Sequence, residues 1–548
     1  MAGHEDPLIP DEATGRLPES ARVRTFVIII VTTLFAETAA LQYTMVAPAA
    51  IRIAPSFPGV GASISWMTTI FGLVGGVVAP LVGKSSDLWG KKKMLIVSGV
   101  LFLIGSLVCC FTNSWAAFLI GRGLQALALG NTTVTYGVFR DILPRKYVPT
   151  AVGLLATGFG LSALAAPILS GYLLDHFSWR ALFWFMTGYG AVTLIAVILI
   201  VPESPLRVRQ RLDILGAVIL SGGLTLCLLY LSEGHSWGWA EPTSLACLIG
   251  GLVLLACFVA VERRTAQPII DLRLLLNSKM LFTLGATLCG AIVIGIFAYA
   301  MPLLLQTPTA AQLTDGVRSE AMEKQNLDSA AAALIDVGFN GSLAFAGGLT
   351  LISFALHAAV FQGGVGMAAG PWVGWLSGRK GPRTLLLGAL VVYVIAGVLF
   401  LTTTTHGVWF YALAAGVFGL GFGAFLAIVP NLVMDAVPPQ QQGVSTGMMN
   451  VFISLGSAIG AAVVTAIIYE NPLIMTVSSG GKVVSTTNLA ETASLTNWDG
   501  ATAIYWAALI AAALGLVIAL AMKHGRVPAT GGAVSEETKP PAAASVAN

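Results

Sequence analysis

Long apolar runs, separated by short segments rich in glycine, proline or charge, dominate the pattern along the chain. A helix that crosses a bilayer needs about 20 apolar residues. The sequence contains fourteen runs of roughly this length, at 25–50, 63–82, 94–112, 115–138, 150–173, 180–201, 213–232, 243–261, 280–305, 346–376, 384–403, 407–432, 443–468 and 501–522. We therefore expect an all-α polytopic membrane protein with fourteen spans.

The composition strengthens this expectation and excludes other classes. Only 10% of the 548 residues are charged and 56% are hydrophobic, whereas soluble domains carry about 25% charged residues. The net charge is +3 and the basic residues are scattered, so no nucleic-acid surface is predicted. No metal-ligand cluster, nucleotide-binding loop or nucleophile–base pair appears. We expect neither an enzyme nor a cofactor or metal.

The distribution of lysine and arginine predicts the orientation. Positive residues in short loops are retained in the cytoplasm. If the N-terminus is inside, 23 of the 29 basic residues lie in cytoplasmic segments, five lie outside, and Arg122 is within a span. The pattern predicts a multi-pass plasma-membrane protein with both termini in the cytoplasm.

One cytoplasmic segment occurs twice with the same spacing, once in each half of the chain. The first copy has Gly83, Asp87, Gly90 and Lys92; the second has Gly374, Gly378, Gly381 and Arg383. Two ordinary positively charged loops would be the alternative explanation. Parallel repeats of six helices are typical of the major facilitator fold. We expect the glycines to serve tight turns and close helix approach.

This repeat predicts the domain organisation. Residues 1–24 form a disordered tail, 25–201 a first six-helix bundle, and 202–279 a linker with two additional membrane helices at 213–232 and 243–261. Residues 280–522 form a second bundle with an external insertion at 306–345, and 523–548 a second disordered tail. The insertion is expected to form a helix or hairpin over the cavity mouth, or a flexible loop, and 469–500 is expected to be flexible.

Several motifs resemble those of the fourteen-span drug:proton antiporters of the major facilitator superfamily. Gly83 to Lys93 resembles the inner-loop signature, and Arg122-Gly-Leu-Gln125 the fourth-helix signature. The fifth-helix segment is similar to the antiporter motif, through Gly158, Gly160, Pro167 and Gly171. Trp66, Trp179-Arg180, Leu212 to Gly216 and Pro268 to Leu274 are similar as well. Two positions depart from the family pattern, since Gln42 stands where an acid is usual and Ala166 where glycine is common.

Ionisable side chains inside a membrane are costly, so each is a candidate functional residue. Glu37 lies midway along the first span, Arg122 in the fourth and His357 in the tenth. Burial favours the protonated form of a carboxyl group, which would let Glu37 carry the proton, with Arg122 nearby to promote its release. A purely structural role for either residue, or a position of Glu37 near an interface, is the alternative.

The remaining candidates belong to the gate and the cavity. Asp87, with Gly83, Gly90, Lys92, Gly374 and Arg383, is expected to hold the cytoplasmic ends together through ion pairs that break on opening. Gln42, Trp66, Gln125 and His357 are candidate cavity residues.

These observations predict proton-coupled export of amphipathic or apolar small molecules, with protons, substrate and lipids as the partners. A dedicated exporter of one lipid-like or siderophore-like metabolite is an alternative, and a membrane sensor or scaffold without transport is another.

Overall fold

The computed structural model describes residues 16–46, 49–53, 56–57, 66–204, 214–265, 272–325, 333–402, 408–437, 442–479, 482–490 and 495–527. The long helices of this part are α1 (Arg22–Val46), α2 (Trp66–Trp89), α3 (Lys91–Phe111), α4 (Trp115–Ala126), α5 (Asn131–Ile142), α6 (Val148–His176), α7 (Arg180–Ile200), α8 (Ile214–Trp237), α9 (Pro242–Glu262), α10 (Ser278–Gln306), α11 (Ala310–Gln325), α12 (Val360–Ser377), α13 (Pro382–Leu401), α14 (Val408–Asp435), α15 (Gln442–Glu470) and α16 (Trp498–Ala521). Single turns of α-helix occupy Ala50–Ile53, Leu272–Leu275 and Leu351–Phe354.

Eleven helices of the described residues are long and apolar enough to cross a membrane. The other three predicted spans coincide in position with α2, with α8, and with α4 and α5 together. Helices α4 and α5 are joined by a 3-10 turn at Leu127–Gly130, which divides this span into two helices of 12 residues each. A membrane protein with many spans is thus established, and the total of fourteen stays a prediction.

The first inner-loop signature is helical, contrary to the expected loop. Helix α2 continues seven residues beyond the predicted end at 82 and includes Gly83 and Asp87. Only Gly90 separates α2 from α3. The helix continues because Lys84, Ser85, Ser86 and Asp87 are buried against protein and do not need a solvated loop.

The long helices form two bundles that meet along two seams. In the first bundle α1 packs against α6 and α7, and in the second α10 packs against α15 and α16. One seam joins α6 to α12 and the other joins α2 to α15. Glycines allow the first seam to close: a Cβ on Gly153 would lie 3.1 Å from Cα of Gly374, and one on Gly160 would lie 2.8 Å from the carbonyl oxygen of Gly363.

The ends of the bundles that carry both termini lie at one face, which we call the terminal face. Its first-bundle part contains the start of α1, where the Leu17 amide donates to the Ile142 carbonyl at 2.8 Å. Its second-bundle part contains the end of α16, where the Gly525 carbonyl accepts from the Arg383 amide at 2.8 Å. Asn450 donates to Thr133 across the two bundles at 2.5 Å.

The two additional helices, α8 and α9, pack against each other as a hairpin. A Cβ on Gly251 would lie 3.0 Å from the carbonyl oxygen of Gly223, which shows how closely their backbones approach. Helix α8 also contacts both α2 and α15. The hairpin therefore lies beside the seam between the bundles and touches both.

Outside the helices, two segments of the second bundle form a three-stranded antiparallel sheet in the order β1-β2-β3. Strand β1 (Ile335–Phe339) comes from the predicted insertion, which also contains α11, and β2 (Ile474–Ser479) and β3 (Lys482–Asn488) come from the segment expected to be flexible. That expectation was wrong for these residues. Strands β2 and β3 pair with each other, and β1, more than 130 residues earlier in the chain, supplies hydrogen-bond partners for the other edge of β2.

Candidate functional site

A buried carboxyl group lies at the middle of α1. Glu37 is 2% exposed, and its Oε2 accepts a hydrogen bond from the Ser162 hydroxyl of α6 at 2.6 Å. A Cβ on Gly158 would lie 2.6 Å from Cγ and Oε1 of Glu37. The missing side chain at Gly158 thus makes the space that Glu37 occupies. Oε1 has no hydrogen-bond partner among the described residues.

A second polar group surrounds Arg122 of α4, which is 0% exposed. Its Nε donates to the Met67 carbonyl at 2.9 Å and its Nη1 donates to Oε1 of Gln125 at 3.0 Å. Gln42 donates to the same Gln125 oxygen at 2.6 Å, and Gln125 donates to Ser106 at 2.8 Å. Two predicted cavity residues, Gln42 and Gln125, are therefore joined in one network, but both are fully buried.

The two polar groups lie on different sides of α1. The five-residue separation places Glu37 and Gln42 about 140° apart around the helix, and Glu37 faces α6 whereas Gln42 faces α4. No ion pair between Glu37 and Arg122 occurs in the described part of the chain; Arg122 binds a glutamine and a carbonyl instead. Arg122 does not contact Glu37 in this structure, so it does not promote proton release from Glu37 by direct contact.

Other predicted residues lie away from these groups. His357 belongs to a π-helical turn (Ala355–Ala359), where its Nδ1 lies 2.8 Å from the Ser353 carbonyl oxygen, which accepts the hydrogen bond, and its ring packs edge-on against exposed Trp409. It therefore lies beside Trp409 in the second bundle and not beside Gln42, and its assignment to the cavity stays a prediction. Trp66 begins α2 and is partly buried.

Two glycines of the antiporter motif, Gly158 and Gly160, have different roles. Gly158 faces Glu37, whereas Gly160 packs against the backbone of α12. Pro167 lies inside α6, and the position of Gly171 would accept a side chain at an ordinary distance of 3.6 Å from Ile352. Ser162, the hydrogen-bond donor to Glu37, was not singled out from the sequence, although it lies one turn after Gly158.

At the terminal face, four charged side chains form a buried network. Lys91 Nζ lies 2.9 Å from Asp87 Oδ1 and 2.7 Å from Asp141 Oδ2. Arg140 lies 2.5 Å from Asp141 and 4.0 Å from Asp87. Ser204 also donates to Asp141, at 2.7 Å. Asp87 thus reaches a basic residue on a neighbouring helix, and the central acid is Asp141, which sequence reasoning missed.

The turn between α2 and α3 depends on Gly90. Its φ angle is 112°, in the region that side chains rarely adopt, and a Cβ there would lie 2.8 Å from the Glu203 carboxylate. The same carboxylate accepts from the Lys92 amide at 3.1 Å, and Lys92 Nζ donates to the Ile198 carbonyl at 2.7 Å. The predicted glycine turn is therefore found at this position.

The second copy of the repeat uses different contacts. Gly374 is helical, and a Cβ there would lie 2.7 Å from the Pro149 carbonyl oxygen, so close packing and not a turn explains this glycine. Arg383 donates to the Ala519 and Leu520 carbonyls at 3.2 and 2.7 Å. Burial, with the positive charges of Lys279 and Arg383, lowers the pKa of nearby His524 to about 4.

Tyrosines from both bundles line the space between them. Tyr43 of α1 is 45% exposed although protein surrounds it, and Tyr299 of α10, which is similarly enclosed, is 39% exposed. Tyr299 lies near Tyr43 and near Tyr469 of α15. Tyr43 and Tyr299 are accessible although protein surrounds them, so an open space, which we call the central cavity, lies beside them, and their rings form part of its wall.

Comparison with known families decides what this architecture is. The family model described as Major Facilitator Superfamily matches residues 34–317 and 326–546. The chain belongs to the major facilitator superfamily. It is a multi-pass membrane transporter and not an enzyme, as expected. Among the described residues, no group of three or more metal-ligating side chains could hold a metal ion.

Similar proteins include transporters from several bacteria. The chain is 26% identical to a probable actinorhodin transporter of Streptomyces coelicolor, over 84% of this chain and 75% of that protein. It is 26% identical to the multidrug resistance protein Stp of Mycobacterium tuberculosis, over 74% of this chain and 68% of that protein. It is 26% identical to an uncharacterized transporter of the superfamily, YvkA, from Bacillus subtilis, over 79% of this chain and 89% of that protein.

Solved structures show the same fold. A proton:xylose symporter of the superfamily superposes with a TM-score of 0.55 at 12% identity, over 91% of this chain and 95% of that one. The human organic anion transporter MFSD10 superposes with a TM-score of 0.53 at 15% identity, over 91% of this chain and 99% of that one. At these identities the likeness supports the fold alone.

Proposed function

We propose that this transporter exports amphipathic or apolar small molecules across the bacterial plasma membrane in exchange for entering protons. It would then have fourteen spans, belong with the fourteen-span drug:proton antiporters, and keep both termini in the cytoplasm. One observation carries the proposal: Glu37 is buried in the first membrane helix, held by Ser162 and accommodated by Gly158 of the antiporter motif, with Oε1 unpaired in the described part.

A carboxyl group in this position suits alternating protonation. When protein surrounds it, the neutral form is favoured, and exposure to water favours release of the proton. The packing of α6 against α12 links the helix that holds Glu37 to the other bundle. Movement of the bundles would thus change the surroundings of Glu37. One proton crossing at 100 mV supplies about 2.3 kcal/mol, enough for a roughly 50-fold gradient of a neutral substrate.

Transport in proteoliposomes tests this proposal. Ethidium, 1-pyrenemethanol and 1-pyrenecarboxylate would be assayed for export against a concentration gradient, with and without an imposed pH difference. We expect a pH-driven export of at least one probe in the wild type. Glu37→Gln should retain exchange of that probe between the two sides while its pH-driven export falls to the level without a gradient.

The control is Glu19→Gln, the same chemical change at an acid that is largely exposed on the terminal face. This variant should export as the wild type does. Unchanged pH-driven export by Glu37→Gln would remove Glu37 as the proton carrier. Absence of pH-driven export of all three probes by the wild type would contradict the proposed antiport of such molecules.

A second candidate function is a dedicated exporter of one secreted metabolite. The similarity to a probable actinorhodin transporter favours it. Deletion of the gene in its host distinguishes the two: loss of one secreted compound supports the dedicated exporter, and increased sensitivity to several unrelated compounds supports broad export.

A further inference from the structure

The charge of Arg122 has no counter-ion in the described structure. Its hydrogen bonds go to a backbone carbonyl and to the Gln125 amide, both uncharged, and Nη2 has no hydrogen-bond partner among the described residues. A buried charge usually has an opposite charge beside it, because an unpaired one is costly. Among the described residues, uncharged hydrogen-bond acceptors and the face of the Phe71 ring stabilise this guanidinium.

The ionisable groups around Arg122 do not supply the missing charge. Those that interact with it electrostatically are Cys109 and Tyr43, and a thiol and a phenol are ordinarily neutral at pH 7. Gln42, which reaches the same network, is an amide. Glu37 faces the opposite side of α1 and binds Ser162.

A thin aromatic wall separates this charge from the central cavity. The guanidinium carbon lies 5.0 Å from the centroid of the Phe71 ring, and Tyr43 stacks on Phe71 with centroids 5.8 Å apart and planes inclined by 30°. Tyr43 is accessible from the cavity, and Tyr299 of the other bundle is accessible near it. A molecule that touches Tyr43 is therefore close to a full positive charge.

We propose that the central cavity binds planar aromatic molecules whose polar group is neutral or negative, and rejects lipophilic cations of the same shape. Tyr43 and Tyr299 offer flat, accessible surfaces for stacking, and Phe71 lies behind Tyr43. The field of Arg122 repels a cation and attracts an anion or a hydrogen-bond acceptor, and screening of the charge is weak because the guanidinium is fully buried. The inference rests on the proposed function in one respect: the transported molecule occupies this cavity.

Three probes that share one ring system test the charge preference. They are 1-pyrenecarboxylate, 1-pyrenemethanol and (1-pyrenemethyl)trimethylammonium, and their binding to the purified full chain in detergent is measured by tryptophan-to-pyrene energy transfer. We expect the carboxylate and the alcohol to bind at least tenfold more tightly than the ammonium compound.

Two variants assign the preference to Arg122. Gln42→Glu places a carboxylate in the network that Arg122 shares with Gln125, and Arg122→Gln removes the charge. In either variant the difference in binding affinity between the ammonium probe and the alcohol should fall below threefold. Arg180→Gln is the matched control, because Arg180 also contacts neutral oxygens and an aromatic ring, Trp179, but at the outer end of α7; it should keep the wild-type difference.

The wild-type ranking alone decides the main point, whatever the variants do on purification. Equal or tighter binding of the ammonium probe overturns the proposal, and so does a failure of the monodisperse wild type to bind any of the three. A preference that survives in well-folded Gln42→Glu and Arg122→Gln overturns the role of Arg122. The assay uses no membrane and no gradient, so a retained ranking without pH-driven export would contradict the antiport and leave this inference standing.

Discussion

The two copies of the repeated segment share their spacing and differ in how they hold the terminal face together. In the first copy, Asp87 at the end of α2 and Lys91 at the start of α3 enter a network of four charges with Arg140 and Asp141. After α12, the position that corresponds to Asp87 is Gly378, and Arg383 binds the carbonyl groups at the end of α16.

The difference shows that one spacing supports two kinds of contact. Burial strengthens the ion pairs of the first copy, because the side chains of Lys91 and Asp141 are 2% and 0% exposed. The second copy depends on backbone packing, with Gly374 against Pro149 of the other bundle. Charge therefore organises the terminal face of the first bundle, and close backbone approach joins the second bundle to it.

The largest expected effect comes from Asp141→Asn. The change leaves two buried cations with a single remaining acid, and breaking a buried ion pair costs about 3–5 kcal/mol. The purified variant should lose thermal stability, as measured by the temperature at which half of it elutes as a monodisperse peak. Asp175→Asn, at an exposed position of α6, should elute as the wild type does. An equal loss of thermal stability in the two variants would show that the effect does not depend on the buried ion pairs of Asp141.

A smaller effect is expected from Gly90→Ala. A positive φ angle costs about 1–2 kcal/mol for a residue with a side chain, and the new Cβ would meet the Glu203 carboxylate. The second copy supplies the comparison, since Gly378 has a φ of −72° and a Cβ there would meet only the Trp375 carbonyl oxygen, at an ordinary distance of 3.5 Å. Gly378→Ala should therefore have the stability of the wild type in the same thermal assay, and equal losses in the two variants would contradict this account.

Asp87→Asn should affect transport more than stability. Loss of its charge weakens the contacts with Lys91 and Arg140 but leaves Asp141 in place, so we expect a roughly fivefold lower transport rate, the low end of a coupling of about 1–3 kcal/mol. Equilibrium binding of the same probe should be unchanged. Gly378→Asp, which copies the acid into the second segment, should stay within about twofold of the wild type. A wild-type rate in Asp87→Asn would leave this charge with a purely topological role.

The smallest expected effect is a pH-dependent stability of the segment around His524, which docks on Arg383 of the second copy. The pKa of His524 is lowered to about 4 in the folded protein, against an ordinary value of about 6.5. The docked segment is thus fully stable above pH 6.5 and loses stability as the pH falls from 6.5 toward 4. Hydrogen exchange of residues 522–527 should be faster at pH 5 than at pH 7 after correction for the intrinsic rate. His524→Gln, which keeps a polar group beside Thr283, should remove this dependence.

The sequence predicts the membrane helices and the candidate carboxyl group well, for local reasons. Apolar length locates most spans, and helical periodicity correctly separates the faces of Glu37 and Gln42. The continuation of α2 through Asp87 could not be predicted in this way. Asp87 pairs with Lys91 four residues later, but burial of this pair depends on Arg140 and Asp141, about 50 residues further along the chain, and no local pattern reveals these two partners.

The three-stranded sheet has the same explanation. Its strands are short, and β1 pairs with β2 from a segment more than 130 residues away, so no local pattern predicts the pairing. Ser162 also depends on tertiary structure, since a lone serine in an apolar helix carries no local signal. Sequence reasoning found residues that are unusual in a membrane and missed ordinary residues made important by position.

Hydrogen bonds that fix the sheet to the second bundle make the sheet a suitable position for a spectroscopic label. Asn340 joins β1 to the Pro472 carbonyl, and Tyr411 of α14 donates to the Phe345 carbonyl, so the sheet is fastened to the second bundle. Val484 of β3 is 66% exposed on this platform. A spin label there, paired with one on exposed Phe177 after α6, would act as a molecular ruler for the opening of the transporter in a lipid bilayer.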